Sequence, residues 1–253
     1  MKFKNKILSF VLALCLIIPC ALVFTACDKD KEPEAPTTVY VSAETSLETA
    51  LSQVAVGGKI VLNADITLDK EVAITKKVTL DLNGKTINNT VDIWSEYEGS
   101  VKKDLEAQTW SLISVRAGGD LTITGNGTME AKANDCYTFD VRGGKLTIEN
   151  GTFVSNISAI YVYTGEAIIN GGSYAIQQLA VGGVAPYSLT INCENTHYAD
   201  DTANITINGG SFAGYDPTAY ASEGNFLAEG LTVSSQVIAS VTVYTVIPAV
   251  ANN

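Results

Sequence analysis

The sequence predicts an all-β protein made of short, repeated strands. Five segments share an alternating β-branched run, an Asn-Gly or Gly-Gly turn and a following Thr, Ser or aromatic residue: LDLNGKTI (80–87), TITGNGTM (122–129), TIENGTFV (147–154), AIINGGSYA (167–175) and ITINGGSFA (205–213). Alternating pairs recur in step with them, 26, 21 and 19 residues apart: Ile113-x-Val115, Phe139-x-Val141, Ile160-x-Val162 and Leu179-x-Val181. No window across these repeats keeps the apolar stripe of a helix. We therefore expect a solenoid of strands in which each coil hydrogen-bonds to the next.

These repeats resemble those of a known family. The residues that carry the resemblance are GGKIVLNADITLDKEVAITKKVTLDLNGKTI (57–87), the NGGSF-type turns and GGSFAGYDPTAYASEGNFLAEGLTV (209–233). Over about residues 40–247 the chain is similar to right-handed parallel β-helix proteins of the pectate-lyase-like superfamily, in particular small bacterial and phage-associated ones without assigned activity. The resemblance implies a right-handed parallel β-helix, and its length allows about six or seven coils.

The two ends of such a solenoid need caps, because open strand edges invite association. Thr45 and Glu48 have the spacing of a helix capping box, and one helical face follows, formed by Leu47, Ala50, Leu51 and Val54. The segment LTVSSQVIASVTVYTVI (231–247) has the alternation of strands. We predict a short N-terminal capping helix and C-terminal capping strands.

The turns and the core follow from the same register. The turn asparagines are expected to adopt left-handed backbone and to hydrogen-bond along the solenoid; they are Asn83, Asn126, Asn150, Asn170 and Asn208. The aromatic residues after the turns are expected to stack in the core; they are Phe153, Tyr174 and Phe212. Cys136 precedes the Phe139 strand, whereas Cys193 follows a Leu-Thr-Ile run on another face, so we expect buried thiols rather than a disulfide.

The first 27 residues have the pattern of a secretion signal. Lys2, Lys4 and Lys6 precede the apolar run ILSFVLALCLIIPCALVFTAC (7–27), and the end, Phe24-Thr25-Ala26-Cys27, resembles a bacterial lipobox. We predict a lipoprotein signal peptide at 1–26, lipidation of Cys27 and an extracytoplasmic protein anchored to the bacterial cell membrane. An uncut transmembrane helix and a plain secretory signal are the alternatives.

Composition predicts a tether and a single domain after the anchor. Residues 27–38 are charged and then rich in Pro, Ala and Thr, which favours a flexible tether, and 39–253 suit a single domain. Loss of the signal removes three lysines and no acid, so the net charge falls from −11 to −14. Such an acidic chain with only two arginines is not expected to bind nucleic acid.

The best candidate site lies on the outer face of the strands that contain the alternating pairs. If Val115, Val141 and Val162 point inward, their neighbours point outward because strand side chains alternate. The alternation brings several outward-facing residues into one patch: Arg116, Asp140, Arg142, Tyr161 and Tyr163, with Ser114 beside them. Guanidinium groups and tyrosine rings suit sugar rings and carboxylates. The alternative is structural, an Asp140–arginine pair between coils with tyrosines packed beside it.

The patch has few of the groups that polysaccharide-cleaving enzymes need. A glycoside hydrolase needs two facing carboxylates, and a lyase needs a cluster of acids for Ca²⁺, whereas this column holds one acid. The catalytic residues of the resembled family have no matched positions here. We predict no catalytic residues, no metal site and no cofactor.

Two loop insertions add candidates. The first, near 88–112, contains Trp94, Tyr97 and Trp110, which either bind a ligand or fold back over the solenoid. The second, near 192–204, contains His197, which we expect to be solvated.

Three functions remain open from the sequence. The leading one is a non-catalytic, surface-anchored lipoprotein that presents a binding face to a glycan or protein partner. The alternatives are a polysaccharide lyase or glycoside hydrolase with a divergent site, and a structural or phage-derived assembly protein.

Overall fold

Short strands, most of them paired in parallel, make up much of the computed structural model. It describes residues 34–93, 97–98, 101–102, 111–133, 136–177, 189–218 and 225–249, and contacts group Ala35–Asn253 into one unit. The helices are α1 (Leu47–Gln53) and α2 (Asn195–Ala199). The strands are β1 (Thr38–Val41), β2 (Lys59–Leu62), β3 (Ile66–Leu68), β4 (Val72–Ile74), β5 (Lys77–Asp81), β6 (Thr86–Asn89), β7 (Tyr97–Glu98), β8 (Val101–Lys102), β9 (Ser111–Arg116), β10 (Asp120–Thr124), β11 (Thr128–Glu130), β12 (Tyr137–Ile148), β13 (Thr152–Ser155), β14 (Ile160–Ile169), β15 (Ser173–Ile176), β16 (Ile191–Cys193), β17 (Ala203–Ile207), β18 (Ser211–Ala213), β19 (Leu231–Ile238) and β20 (Val241–Pro248).

These strands form three runs of parallel pairing. The first run joins β4, β9, the first half of β12, the first half of β14, and β16. The second run joins β1, β2, β5, β10, the second halves of β12 and β14, and β17. The third run joins β3, β6, β11, β13, β15 and β18. The first two runs belong to one ten-stranded sheet, and the third belongs to an eight-stranded sheet that β20 and β19 complete.

The chain visits the three runs in a fixed order. The series β4, β5, β6 is followed by β9, β10, β11, and β12 and β14 each span the first two runs before β13 and β15 continue in the third. The prediction of an all-β protein with parallel sheets is therefore confirmed.

Glycines allow the long strands to pass from the first run to the second. Gly144 of β12 lies beside Gly165 of β14, and Gly165 has φ +99°. A Cβ at Gly165 would lie 2.3 Å from the Gly144 carbonyl oxygen, closer than any non-bonded carbon and oxygen. The close approach of the two backbones thus requires glycine there.

The core consists of the alternate residues that the sequence predicts to point inward. Val115, Val141 and Val162 are fully buried. The aromatic column is also confirmed, because the Phe153 and Tyr174 ring centroids are 5.2 Å apart and those of Tyr174 and Phe212 are 5.0 Å apart. These offset stacks lie between strands that are neighbours in the third run.

The capping helix is present, but its cap differs from the prediction. The N-cap residue is Ser46, whose hydroxyl accepts a hydrogen bond from the Thr49 amide at 3.2 Å, so the choice of Thr45 with Glu48 was wrong. Both residues have N-cap side chains one position apart, and boundary prediction does not separate them. Leu47 and Ala50 are buried as predicted. Neither described helix is long and apolar enough to cross a membrane.

One of the alternating pairs in the sequence prediction was assigned to the wrong segment. Ile191 and Cys193, rather than Leu179 and Val181, lie beside Ile160 and Val162. Leu179 and Val181 lie outside the described residues. Both segments alternate in the same way, and alternation fixes the face of a strand but not its partner. The second insertion therefore contains the end of β16, α2 and the start of β17.

The turn asparagines hydrogen-bond between repeats, as predicted. Asn150 donates to Asn126 at 2.5 Å and Asn208 donates to Asn170 at 2.8 Å. Among the five, only Asn83 has a positive φ; at the later turns a glycine one or two residues away adopts it instead, so that part of the prediction was wrong. Cys136 and Cys193 are buried thiols.

The close contact at Gly165 gives a stability prediction. Gly165→Ala should lower the free energy of unfolding by more than about 3 kcal/mol, because it adds a clash to an unfavourable φ. Gly57→Ala is the matched control, since Gly57 has φ +77° but no atom within 4 Å of an added Cβ; its loss should be about 1 kcal/mol. Urea denaturation measures both, and equal losses would contradict the close approach.

Candidate functional site

The outer face of the first run carries the predicted patch. Backbone register places Asp140 beside Ser114 on one side and beside Tyr161 on the other. Tyr161 in turn lies beside Asn192. The four neighbouring strands β9, β12, β14 and β16 thus bring these side chains to one row, at the strand spacing of about 4.8 Å.

The next row contains the arginines and an irregularity. Arg116 and Arg142 are register partners, but a bulge pairs Arg142 with Thr164 and leaves Tyr163 without a register partner in β12. The Tyr163 ring nevertheless meets Arg142, whose guanidinium carbon lies 5.2 Å from the ring centroid. This is the range of a cation–π interaction.

Two separate ion pairs hold the charged residues. Arg142 donates from Nε to Asp140 Oδ2 at 2.5 Å, and their side chains are 10% and 0% exposed. Arg116 donates instead to Glu71 Oε1, at 2.7 Å. The predicted structural alternative, an Asp140–arginine pair between coils, is therefore wrong in its geometry. Asp140 and Arg142 belong to the same strand, and Arg116 of β9 pairs with Glu71, which immediately precedes β4.

Burial changes the acidity of Asp140. Desolvation raises the pKa of this carboxyl to about 6, although the Arg142 guanidinium opposes the increase. Its Oδ1 atom and the Ser114 hydroxyl are buried without a hydrogen-bond partner among the described residues. Burial behind Arg142 thus gives the Asp140 carboxyl a pKa well above that of an ordinary aspartate.

Helix α2 adds residues that the sequence did not predict. Its N-cap is Glu194, whose Oε2 accepts a hydrogen bond from the His197 amide at 2.8 Å. The His197 ring packs edge-on against Tyr163, with centroids 4.8 Å apart, and its Nδ1 lies 3.0 Å from Thr202 Oγ1. The prediction that His197 lies in a loop was wrong, because the insertion folds into a helix against the sheet, and the His197 side chain is 28% exposed.

These groups surround a concavity of about 470 Å³. Its lining is Tyr137, Arg142, Tyr161, Tyr163, Glu194, Thr196 and His197. The Tyr137 and Tyr161 rings are 5.5 Å apart, and burial raises the pKa of Tyr161, so its hydroxyl remains a hydrogen-bond donor. The lining is mainly aromatic, with a cation, a carboxylate and an imidazole at its polar positions.

The predicted site residues divide into three groups. Arg142, Tyr161 and Tyr163 line the concavity, whereas Asp140 lies buried beside Arg142 and Arg116 lies in the pair with Glu71. Trp94, Trp110 and Cys27 lie outside the described residues, as does the side chain of Tyr97. Across the described ranges, no three His, Cys, Asp or Glu side chains form a group that could hold a metal ion.

The residues that sequence analysis missed had weak local signals. Tyr137 precedes Phe139 by two residues and belongs to the same strand as Asp140, so its presence near the patch follows from the strand. Glu194 is followed three residues later by His197, the spacing of an N-cap acceptor and its amide. A helix of five residues is too short to show a periodic pattern.

Comparison with known proteins identifies no relative. No protein-family model, curated protein or solved structure matches the chain.

The acidity of Asp140 predicts how stability depends on pH. Its folded pKa of about 6 exceeds the unfolded value of about 3.9, so its contribution is complete below about pH 4 and is lost as the pH rises through about 6. Relative to Asp140→Asn, the wild-type protein should lose on the order of 3 kcal/mol of unfolding free energy between about pH 4 and pH 7.

Chemical denaturation across this pH range measures the difference. Asp69→Asn, which removes one exposed carboxylate, controls for the change in net charge. A wild-type curve parallel to that of Asp140→Asn would contradict the burial of an ionisable Asp140.

Proposed function

We propose that this chain is a lipid-anchored, extracytoplasmic binding protein whose domain is a right-handed parallel β-helix and whose tyrosine-lined concavity binds a glycan. The observation that carries the proposal is the concavity itself, which combines three tyrosine rings with convergent polar side chains. A protein partner is the alternative ligand at the same face.

The strand pairing supports a β-helix of about six or seven coils. The second run contains seven strands in parallel register and the third contains six, before β20 joins it antiparallel. The chain returns to each run in the same order, as a solenoid requires. Right-handedness is the general rule for connections between parallel strands.

The N-terminal sequence supports the anchor. A basic start, an apolar run and Ala26-Cys27 are followed at once by the charged segment DKDKEPEAP (28–36). Two acyl chains on Cys27 would suffice for stable attachment, whereas a single chain gives marginal binding. The residues after Cys27 would then act as a tether between membrane and domain.

The composition of the concavity favours a sugar. Its volume of about 470 Å³ falls within the range of about 300–1,000 Å³ that small-ligand sites occupy. Tyrosine rings offer flat apolar surfaces with a polar end. Glu194, Thr196 and His197 also line the concavity and supply acceptors and donors for hydroxyl groups.

The charges of the concavity favour a neutral glycan. Arg142, the one arginine or lysine of the lining, is already paired with Asp140, and Glu194 adds a carboxylate to the lining. The chain as a whole carries a net charge of −11. An acidic polysaccharide would therefore meet repulsion without an uncompensated cation to offset it.

A hydrolase is the second candidate, because of one observation. The raised pKa of Asp140, about 6, is the kind of shift that a general acid needs. Against this role, the Asp140 side chain is fully buried and does not line the concavity. Product analysis separates the two functions.

Binding is tested with a glycan array and isothermal titration of any glycan that binds. Tyr163→Ala should weaken binding by about tenfold, because it removes the ring that supports both Arg142 and His197. Tyr40→Ala, an exposed tyrosine on β1, is the matched control and should bind as the wild type does.

Each result of this test has a consequence. Equal affinity in Tyr163→Ala and the wild type would show that the glycan does not bind in the concavity. Shortened or unsaturated glycans in mass spectra would establish an enzyme instead. Absence of glycan binding would direct the search to a protein partner. A Trp94→Ala/Trp110→Ala double variant tests whether the first insertion contributes, since those residues lie outside the described ranges.

Lipidation makes a separate prediction. In cells fed a palmitate analogue, the wild-type protein should be labelled and Cys27→Ser should not. Cys20→Ser, which removes a cysteine that lies inside the signal peptide, should remain labelled. Membrane retention without any label would instead support an uncut transmembrane helix.

A further inference from the structure

The C-terminal hairpin, β19 and β20, extends beyond the sheet that supports it. β19 and β20 pair through eight residues each, from Leu231↔Pro248 to Ile238↔Val241. β20 pairs with β18 through only three, Val243 to Thr245. Two further backbone hydrogen bonds, at Thr242 and Val246, border this contact. The turn end of the hairpin thus has no strand of the described chain beside it.

The projecting part exposes branched apolar side chains. Val237 is 68% exposed and Ile238 is 53% exposed, and no residue of β19 is buried. A two-stranded hairpin without a third strand is marginally stable in water. The turn adds to this cost, because Ala239 and Ser240 both have positive φ, where glycine or asparagine is preferred. A partner strand would stabilise this segment.

β19 is also the last strand of the eight-stranded sheet. Its residues LTVSSQVI contain no lysine, acid or proline, which are the usual devices that keep an exposed edge from pairing. Its eight residues provide a longer edge than any strand of the third run, where the strands have three or four residues. The edge is therefore suited to β-augmentation, in which an added strand completes the hydrogen bonds.

Charge indicates which strand would be added. Residues 231–248 contain no charged side chain, in a chain with 27 acidic and 16 basic residues. Two copies of so acidic a protein repel each other over most of their surface, but two hairpins can meet without bringing like charges together. An antiparallel pair of identical strands also has the two-fold symmetry of the commonest protein dimers.

We propose that β19 pairs antiparallel with β19 of a second copy, so that the two eight-stranded sheets become one across a two-fold axis. The contact would cover Val237 and Ile238 of both copies and satisfy backbone groups along both edges. It does not involve the concavity, and so the proposal is independent of the proposed function.

The test compares two valine-to-lysine variants of the full chain. Sedimentation equilibrium in a density-matched detergent should show a monomer–dimer equilibrium for the wild type. Val237→Lys should weaken the dimer at least about tenfold, because it places two like charges at the joined edges. Val56→Lys makes the same change at a valine that is 75% exposed in the loop after α1, and it should dimerise as the wild type does.

Hydrogen exchange provides the second measurement and checks the fold. Amides of residues 231–238 should exchange more slowly as wild-type concentration rises, and this dependence should disappear in Val237→Lys. Unchanged protection elsewhere shows that the variant is folded. A protein that stays monomeric at every concentration overturns the proposal. So does a dimer that Val237→Lys leaves intact without protection of β19, since that dimer forms elsewhere.

Discussion

Parallel pairing between strands one repeat apart is the constraint on which the rest of the structure depends. It holds equivalent residues of successive repeats about 4.8 Å apart, so a residue type that recurs in sequence becomes a column in space. Phe153, Tyr174 and Phe212 stack because their strands are paired in register. The same pairing aligns Ser114, Asp140 and Tyr161 on the outer face. The core and the candidate site are thus two faces of one backbone arrangement.

The concavity arises where this regularity is interrupted. A perfectly regular sheet presents flat columns, whereas the bulge beside Arg142 leaves Tyr163 without a register partner in β12. Immediately after β16, Glu194 caps helix α2, and this helix brings His197 against the Tyr163 ring. The bulge displaces Tyr163 from the regular register, and helix α2 adds residues that line the concavity beside it. Bulges are frequent next to functional sites for this reason.

The sequence predicted what depends on alternation and missed what depends on the partners of each element. Inward Val115, Val141 and Val162 and the aromatic column follow from a period of two residues. The choice of Ile191 rather than Leu179 as the partner of Ile160 does not follow from this period. Both segments alternate equally well, and only the three-dimensional fold selects between them. His197 was missed because a five-residue helix has no periodic signal, and its position depends on packing against Tyr163.

The buried pair of Asp140 and Arg142 is better explained by the position it gives to the Arg142 guanidinium than by a contribution to folding stability. Burial of an ion pair commonly costs as much as the attraction returns, and the raised pKa of Asp140 indicates that its charged form is disfavoured here. What the pair does achieve is to fix the Arg142 guanidinium, which has only 10% of its side chain exposed, over the Tyr163 ring. An apolar pair in this place would pack as well but would leave Tyr163 and His197 without that charge. The free-energy cost of burying Asp140 is therefore best understood as the cost of holding Arg142 in position in the lining of the concavity.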